Sequence, residues 1–108
     1  MGFLDRLRAG VVRERAEDAA YLREWTRAHH GVEAFVEPRT TVTDVTVVLV
    51  AYDGEWTRRV VGERGAQRLS GDLGIPVYDV RRVGYPQRMR DHDARRRIQR
   101  RRAMLADE

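Results

Sequence analysis

The stretch TVTDVTVVLVAYDGEWTRRVV, Thr41 to Val61, decides the fold. It is dense in Val and Thr, which suit a pleated, half-buried surface, and it is broken once, at Asp53-Gly54. Asp-Gly supplies positive φ for a two-residue type I′ turn, so the spacing predicts a hairpin. In that register Tyr52 faces Glu55, Ala51 faces Trp56, Leu49 faces Arg58 and Val47 faces Val60. One face then carries Val45, Val47, Leu49, Ala51, Trp56 and Val60, and is the expected core face. The other mixes Val48, Val50, Tyr52 and Val61 with Asp44, Thr46, Glu55, Thr57 and Arg59.

Upstream, Val32 to Val36 alternates, with Val32, Ala34 and Val36 on one side, and Glu37-Pro38-Arg39 ends it; a first antiparallel strand is expected there. Before it, residues 3–29 read as a helix, with Leu4, Leu7 and Val11 on one face, Tyr21, Leu22, Trp25 and Ala28 near its continuation, and Gly10 as a potential kink. Asp18 falls on the same stripe, which implies that the helix is only partly covered there. His29-His30-Gly31 closes the helix, Gly31 providing a left-handed cap. Adjacent histidines diverge by about 100° on a helix, so this pair is poorly placed to hold a metal.

Downstream, Ala66, Leu69 and Leu73 recur at helical spacing within Glu63 to Leu73, and Gly74-Ile75-Pro76 stops that short crossover helix. Val77 to Val80 reads as a fourth strand, at an edge or just past its first residue, because Pro76 cannot donate a ladder bond. Gly84-Tyr85-Pro86 breaks the chain, and a last helix is expected from Asp91. There Asp91 and Asp93 stand four residues before Arg95 and Arg97, and Ala94, Ile98 and Leu105 form a thin stripe. The fold class is therefore α+β. A single domain has an N-terminal helix, a three-stranded antiparallel meander, a crossover helix and a fourth strand, organised as a compact body (1–86) and an Arg-rich C-terminal helical tail (87–108).

At 108 residues the chain has room for one core. It has no cysteine, which removes disulfides and thiolate chemistry. No apolar run approaches the ~20 residues of a membrane span, and the start MGFLD lacks the core of a signal peptide, so a cytoplasmic location is expected. GFLDRLR is amphipathic, but its apolar face is about two turns long and Asp5 offsets one arginine; a membrane is not the expected partner.

Every Lys/Arg position is arginine, a bias that GC-rich coding alone produces. Its distribution says more: residues 1–85 hold 13 Arg against 13 Asp and Glu, and residues 86–108 hold 8 against 4, so the net charge of +4 is C-terminal. No phosphate loop, zinc spacing, dinucleotide fingerprint or nucleophile elbow occurs, and the single serine, Ser70, has no histidine nearby. No cofactor and no metal site is expected.

The order helix, three strands, helix, strand resembles the core of restriction-endonuclease-like enzymes. That resemblance implies a Mg²⁺ site built from an Asp on one strand and an acidic-x-Lys triplet on the next. The matching positions are Asp44 and Glu55-Trp56-Thr57, with Asp18 a further carboxylate; the chain departs from the pattern at Thr57, where the lysine belongs. VEAFVEPRTTVTDVTVVLVAYDGEWTRR (32–59), LGIPVYDV (73–80) and VGYPQRMRD (83–91) together resemble a family of small actinobacterial proteins, some loosely labelled oxidoreductases. The resemblance spans about residues 31–91 and implies no site residue.

Three functional readings follow. The first is a non-enzymatic binding module whose C-terminal helix meets an anionic partner, RNA, DNA or an acidic protein surface, through Arg88, Arg90, Arg95, Arg96, Arg97, Arg100, Arg101 and Arg102, with Tyr85 as a base-stacking contact. Its rival at the tail itself is a solvated helix docked by Ala94, Ile98 and Leu105, whose arginines pair with the acids of the body. The second is a small or degenerate enzyme on the endonuclease-like core, using Asp18, Asp44 and Glu55. The third is a structural subunit that buries the second sheet face and Trp25 in a partner chain.

Overall fold

The computed structural model describes residues 2–107. Its elements are α1 (Phe3–Ala28), β1 (Glu33–Glu37), β2 (Thr46–Val50), β3 (Trp56–Val60), α2 (Gly62–Leu73), β4 (Val77–Asp79), the single-turn α3 (Val80–Val83) and α4 (Gln87–Ala106). The strands form one sheet in the order β3-β2-β1-β4. β1, β2 and β3 are an antiparallel meander, and β4, brought round by α2, pairs parallel to β1 at the edge. The α+β architecture and the edge placement expected after Pro76 are what the chain adopts.

β2 is the middle of the molecule. Val47, Val48, Leu49 and Val50 are all solvent-free, which is how an unbroken apolar run behaves when a strand is covered on both faces. Each such side chain is worth about 1.5–3 kcal/mol relative to leaving it exposed. On one face Ala34, Val47, Leu49 and Ala51 pack with Leu22 and Trp25 of α1 and Leu69 of α2. On the other, Phe35, Val48 and Val50 pack with Met89 of α4, flanked by Trp56, Val80 and Tyr85.

The hairpin differs from its expected register by one residue. Val50 faces Trp56, Leu49 faces Thr57, Val47 faces Arg59 and Thr46 faces Val60. The loop has three residues, Tyr52 to Gly54: Ala51 N–H donates to the Glu55 carbonyl at 2.8 Å and Gly54 N–H to the Ala51 carbonyl at 3.0 Å. A type I′ turn needs positive φ at both central residues, and here only Gly54 has it (φ 92°). Asp53 instead keeps negative φ and accepts the Glu55 N–H at 3.0 Å.

A one-residue slip turns every β3 side chain to the other face. Trp56 and Val60 therefore leave the expected core face, while Val45, Val47, Leu49 and Ala51 stay on it. The exchange is favourable on both sides. Trp56 enters the cluster under α4, its indole N–H donating to Asp93 at 2.9 Å. On the α1 side, Thr57 shares a 2.8 Å hydrogen bond with the Tyr21 hydroxyl, and the Arg59 guanidinium stacks on the Tyr21 ring beside Asp18, 3.6 Å away.

Three further departures concern the helices. Gly10 does not interrupt α1. The fourth strand stops at Asp79, whose carboxylate caps α3 by accepting Arg81 N–H at 2.9 Å; Gly84, at φ 70°, then ends that turn. α4 begins at Gln87 rather than Asp91, with Pro86 as its N-cap, and its first turns belong to the packed body. Among the described residues no helix is long and apolar enough to cross a membrane.

Candidate polyanion-binding helix

α4 has two parts with different surroundings. In the first, Met89 is the buried anchor. Arg88 reaches back over the end of β2, its Nη2 meeting Glu33 Oε1 at 2.7 Å and its Nε the Ala51 carbonyl at 3.0 Å. The helix backbone passes so close to the hairpin turn that a Cβ on Gly54 would lie 1.9 Å from the Arg88 carbonyl oxygen and 2.8 Å from His92 Cβ. His92 is packed into this contact with Nδ1 buried and without a hydrogen-bond partner. Asp93 takes the Trp56 indole N–H, and Arg95 donates to the Asp53 carbonyl at 3.0 Å.

Beyond Arg95 every described residue of α4 is exposed. Ile98 is 50% and Leu105 61% exposed, so the stripe that would dock the tail does not dock it. The expected Asp91–Arg95 and Asp93–Arg97 pairs are also not made. Asp91 accepts from Gln87 at 3.0 Å, while the Trp56 indole and the Asp53 carbonyl, fixed by the fold, take Asp93 and Arg95.

The eight arginines therefore separate. Arg88 is spent on Glu33 and β2, Arg90 on Gln87 (2.9 Å) and the Tyr85 carbonyl (3.2 Å), and Arg95 on the turn. Arg96, Arg97, Arg100, Arg101 and Arg102 have no acidic partner among the described residues, and all five are exposed.

Tyr85 is not a free stacking surface. It is half-buried, and its hydroxyl donates to Glu37. Arg58 grips the same carboxylate with two bonds of 2.7 and 3.0 Å, and Thr46 Oγ1 donates to it at 2.8 Å. Burial pushes the Glu37 carboxyl up, but the hydrogen bonds from Arg58, Tyr85 and Thr46, with the Arg58 charge, outweigh it and hold its pKa below the usual value. Burial, then the Glu37 bond, pushes the Tyr85 hydroxyl up. This network was invisible in sequence: its members lie on β1, β2, β3 and the α3–α4 link, and only the register brings them together.

The three candidate catalytic carboxylates are each held elsewhere. Asp44 is bound by Arg15 at 2.7 Å and Arg39 at 3.3 Å, Asp18 sits beside Arg59, and Glu55 lies 3.2 Å from His29 Nε2. The Arg15 hydrogen bond, with the Val45 N–H, keeps the Asp44 pKa low. These contacts string along the seam between α1 and the meander. Among the described residues no three His, Cys, Asp or Glu side chains group as a metal site would require. His29 stacks on Trp25 at 3.7 Å and its Nδ1 meets the Trp25 carbonyl at 2.7 Å, a helix-end contact separate from exposed His30.

No protein-family model, curated protein or solved structure matches the chain.

Proposed function

We propose that the protein is a non-enzymatic binding module that holds a nucleic acid on the distal part of α4. The observation that carries this reading is the set of five exposed arginines, Arg96, Arg97, Arg100, Arg101 and Arg102, without acidic partners among the described residues although the body bears 13 acidic residues. Arg96 and Arg100, and Arg97 and Arg101, are like charges one turn apart, each pair costing an isolated helix about 0.2–0.5 kcal/mol. A polyanion relieves that repulsion and releases its counterions on binding.

The test uses the whole chain, because ending it at Tyr85 would remove Met89 and Asp93 from the fold. Arg96, Arg97, Arg100, Arg101 and Arg102 are all changed to Gln, and binding of mixed-sequence DNA and RNA is followed by fluorescence anisotropy. The variant should keep its thermal midpoint and lose at least tenfold in affinity. If it binds both as the native chain does, or the native chain binds neither, the reading fails. An acidic protein surface then becomes the candidate partner.

A further inference from the structure

Resting on that reading, we propose that the nucleic acid is a B-form DNA duplex and that distal α4 lies lengthwise in its major groove, with arginines reaching phosphates on both walls.

The arginines point to more than one side of the helix. Successive helical residues turn by about 100°. Arg96 and Arg100 therefore share one side, Arg97 and Arg101 the next, and Arg102 stands about 160° from Arg100. A flat acidic surface or a strand lying along one side would engage the first four, which fall within about 140°, and would leave out Arg102, about 100° from Arg101 and about 120° from Arg96. A trough with phosphates left and right engages all of them. No side of the segment is closed off, since every residue from Arg95 to Asp107 is exposed.

Dimensions agree. Arg95 to Ala106 is 12 residues, about 18 Å of helix. An α-helix with its side chains is about 10–12 Å across, and the B-DNA major groove is about 12 Å wide. The negative end of the helix dipole disfavours end-on approach to phosphate, which selects the lengthwise pose.

Other nucleic acids fit this segment less well. Sequence-tolerant single-strand binding relies on aromatic side chains that stack bases. Distal α4 has none, Tyr85 is tied to Glu37, and Tyr52, which is exposed, stands on the hairpin turn where α4 leaves the body, a single aromatic at one end of the arginine segment rather than a series along it. Duplex RNA offers a major groove too deep and narrow for this helix.

The experiment measures binding of the full chain to a mixed-sequence DNA duplex, the corresponding RNA duplex and each single strand, across a range of salt. Three variants are measured on the DNA duplex: R96Q/R100Q, R97Q/R101Q and R102Q. The DNA duplex should bind at least tenfold tighter than the others. The slope of log K against log salt should fall by about 1.8 in each double variant and about 0.9 in R102Q, since each phosphate contact contributes about 0.9. Equal or tighter binding of RNA or single strands overturns the groove proposal, as does a slope that responds on one side only. In both cases the affinity loss on changing all five arginines preserves the broader reading. Absence of that loss removes both.

Discussion

Gly54 and Gly74 isolate one contact at the level of a single residue. Both have positive φ, 92° and 64°, and so share the ~1–2 kcal/mol that an L-residue loses in that region. They differ in surroundings: a Cβ at Gly74 meets open space, whereas one at Gly54 meets the Arg88 carbonyl at 1.9 Å. No rotamer relieves a backbone clash. Gly54→Ala should therefore cost at least about 2 kcal/mol more than Gly74→Ala in urea melts, and equal losses would mean that α4 does not seat on the turn. The sequence made Gly54 legible as a turn glycine, and hid the reason that it cannot be replaced. Trp56 was misread for a related cause: both hairpin faces are partly apolar, and the turn length that selects between them depends on how Asp53 uses its carboxylate.

Among the elements, α4 is the one that the sequence described least well. Its helical character and charge were plain, but the docked half is anchored by Met89, one apolar residue among polar neighbours, and by contacts to β1, β2 and β3 that no local pattern displays. α1, β1 and α2 were easier because their apolar residues recur in the sequence at helical or strand spacing. Met89→Ala should cost about 2–5 kcal/mol, and Ile98→Ala should stay within about 0.5 kcal/mol. The opposite ranking in chemical denaturation would restore the stripe of Ala94, Ile98 and Leu105 as the docking face.

The link into α4 is governed by Glu37, and its titration gives a pH signature. A carboxyl whose folded pKa lies below its unfolded value, near 4.5, adds stability that is complete above that value and is lost as pH falls through the folded one. Asp44 and Asp79, also held low, add to the same acid slope. Glu37→Gln should lower stability at neutral pH by about 1–3 kcal/mol, the range for hydrogen bonds to a charged group. The gap between native and variant should then narrow below pH 4.5. Thermal melts at stepped pH check this, and a gap that stays constant into acid would assign the network no electrostatic weight.

At the scale of the whole molecule, the body is overhung at both ends. α1 first meets the body by hydrogen bond at Arg15, which binds Asp44 and the Val61 carbonyl where β2 begins and β3 ends. α4 leaves it at Arg95, on the turn where β2 ends and β3 begins. The two overhangs, residues 3–14 and 96–106, thus point away from opposite ends, and the molecule measures 58 × 34 × 29 Å. Their characters differ: the first exposes Phe3, Leu4, Leu7 and Val11, and the second carries five arginines with Ile98, Met104 and Leu105 exposed among them. The charge asymmetry of the C-terminal end was legible in sequence. That three of its arginines find partners on the sheet and its turn and at the start of α4, while the other five have no acidic partner among the described residues, was not.

On the proposed reading α4 is docked on the sheet up to Ala94 and is binding surface beyond it. Amide hydrogen exchange resolved along α4, with and without a DNA duplex, tests it most directly. Amides around Met89 to Ala94 should be protected to the level of global unfolding in both states. Those from Ile98 to Ala106 should exchange nearly freely alone, because repelling arginines fray an undocked helix, and become protected when the duplex is added. Strong protection of the distal segment without nucleic acid, or no gain with it, would contradict the account.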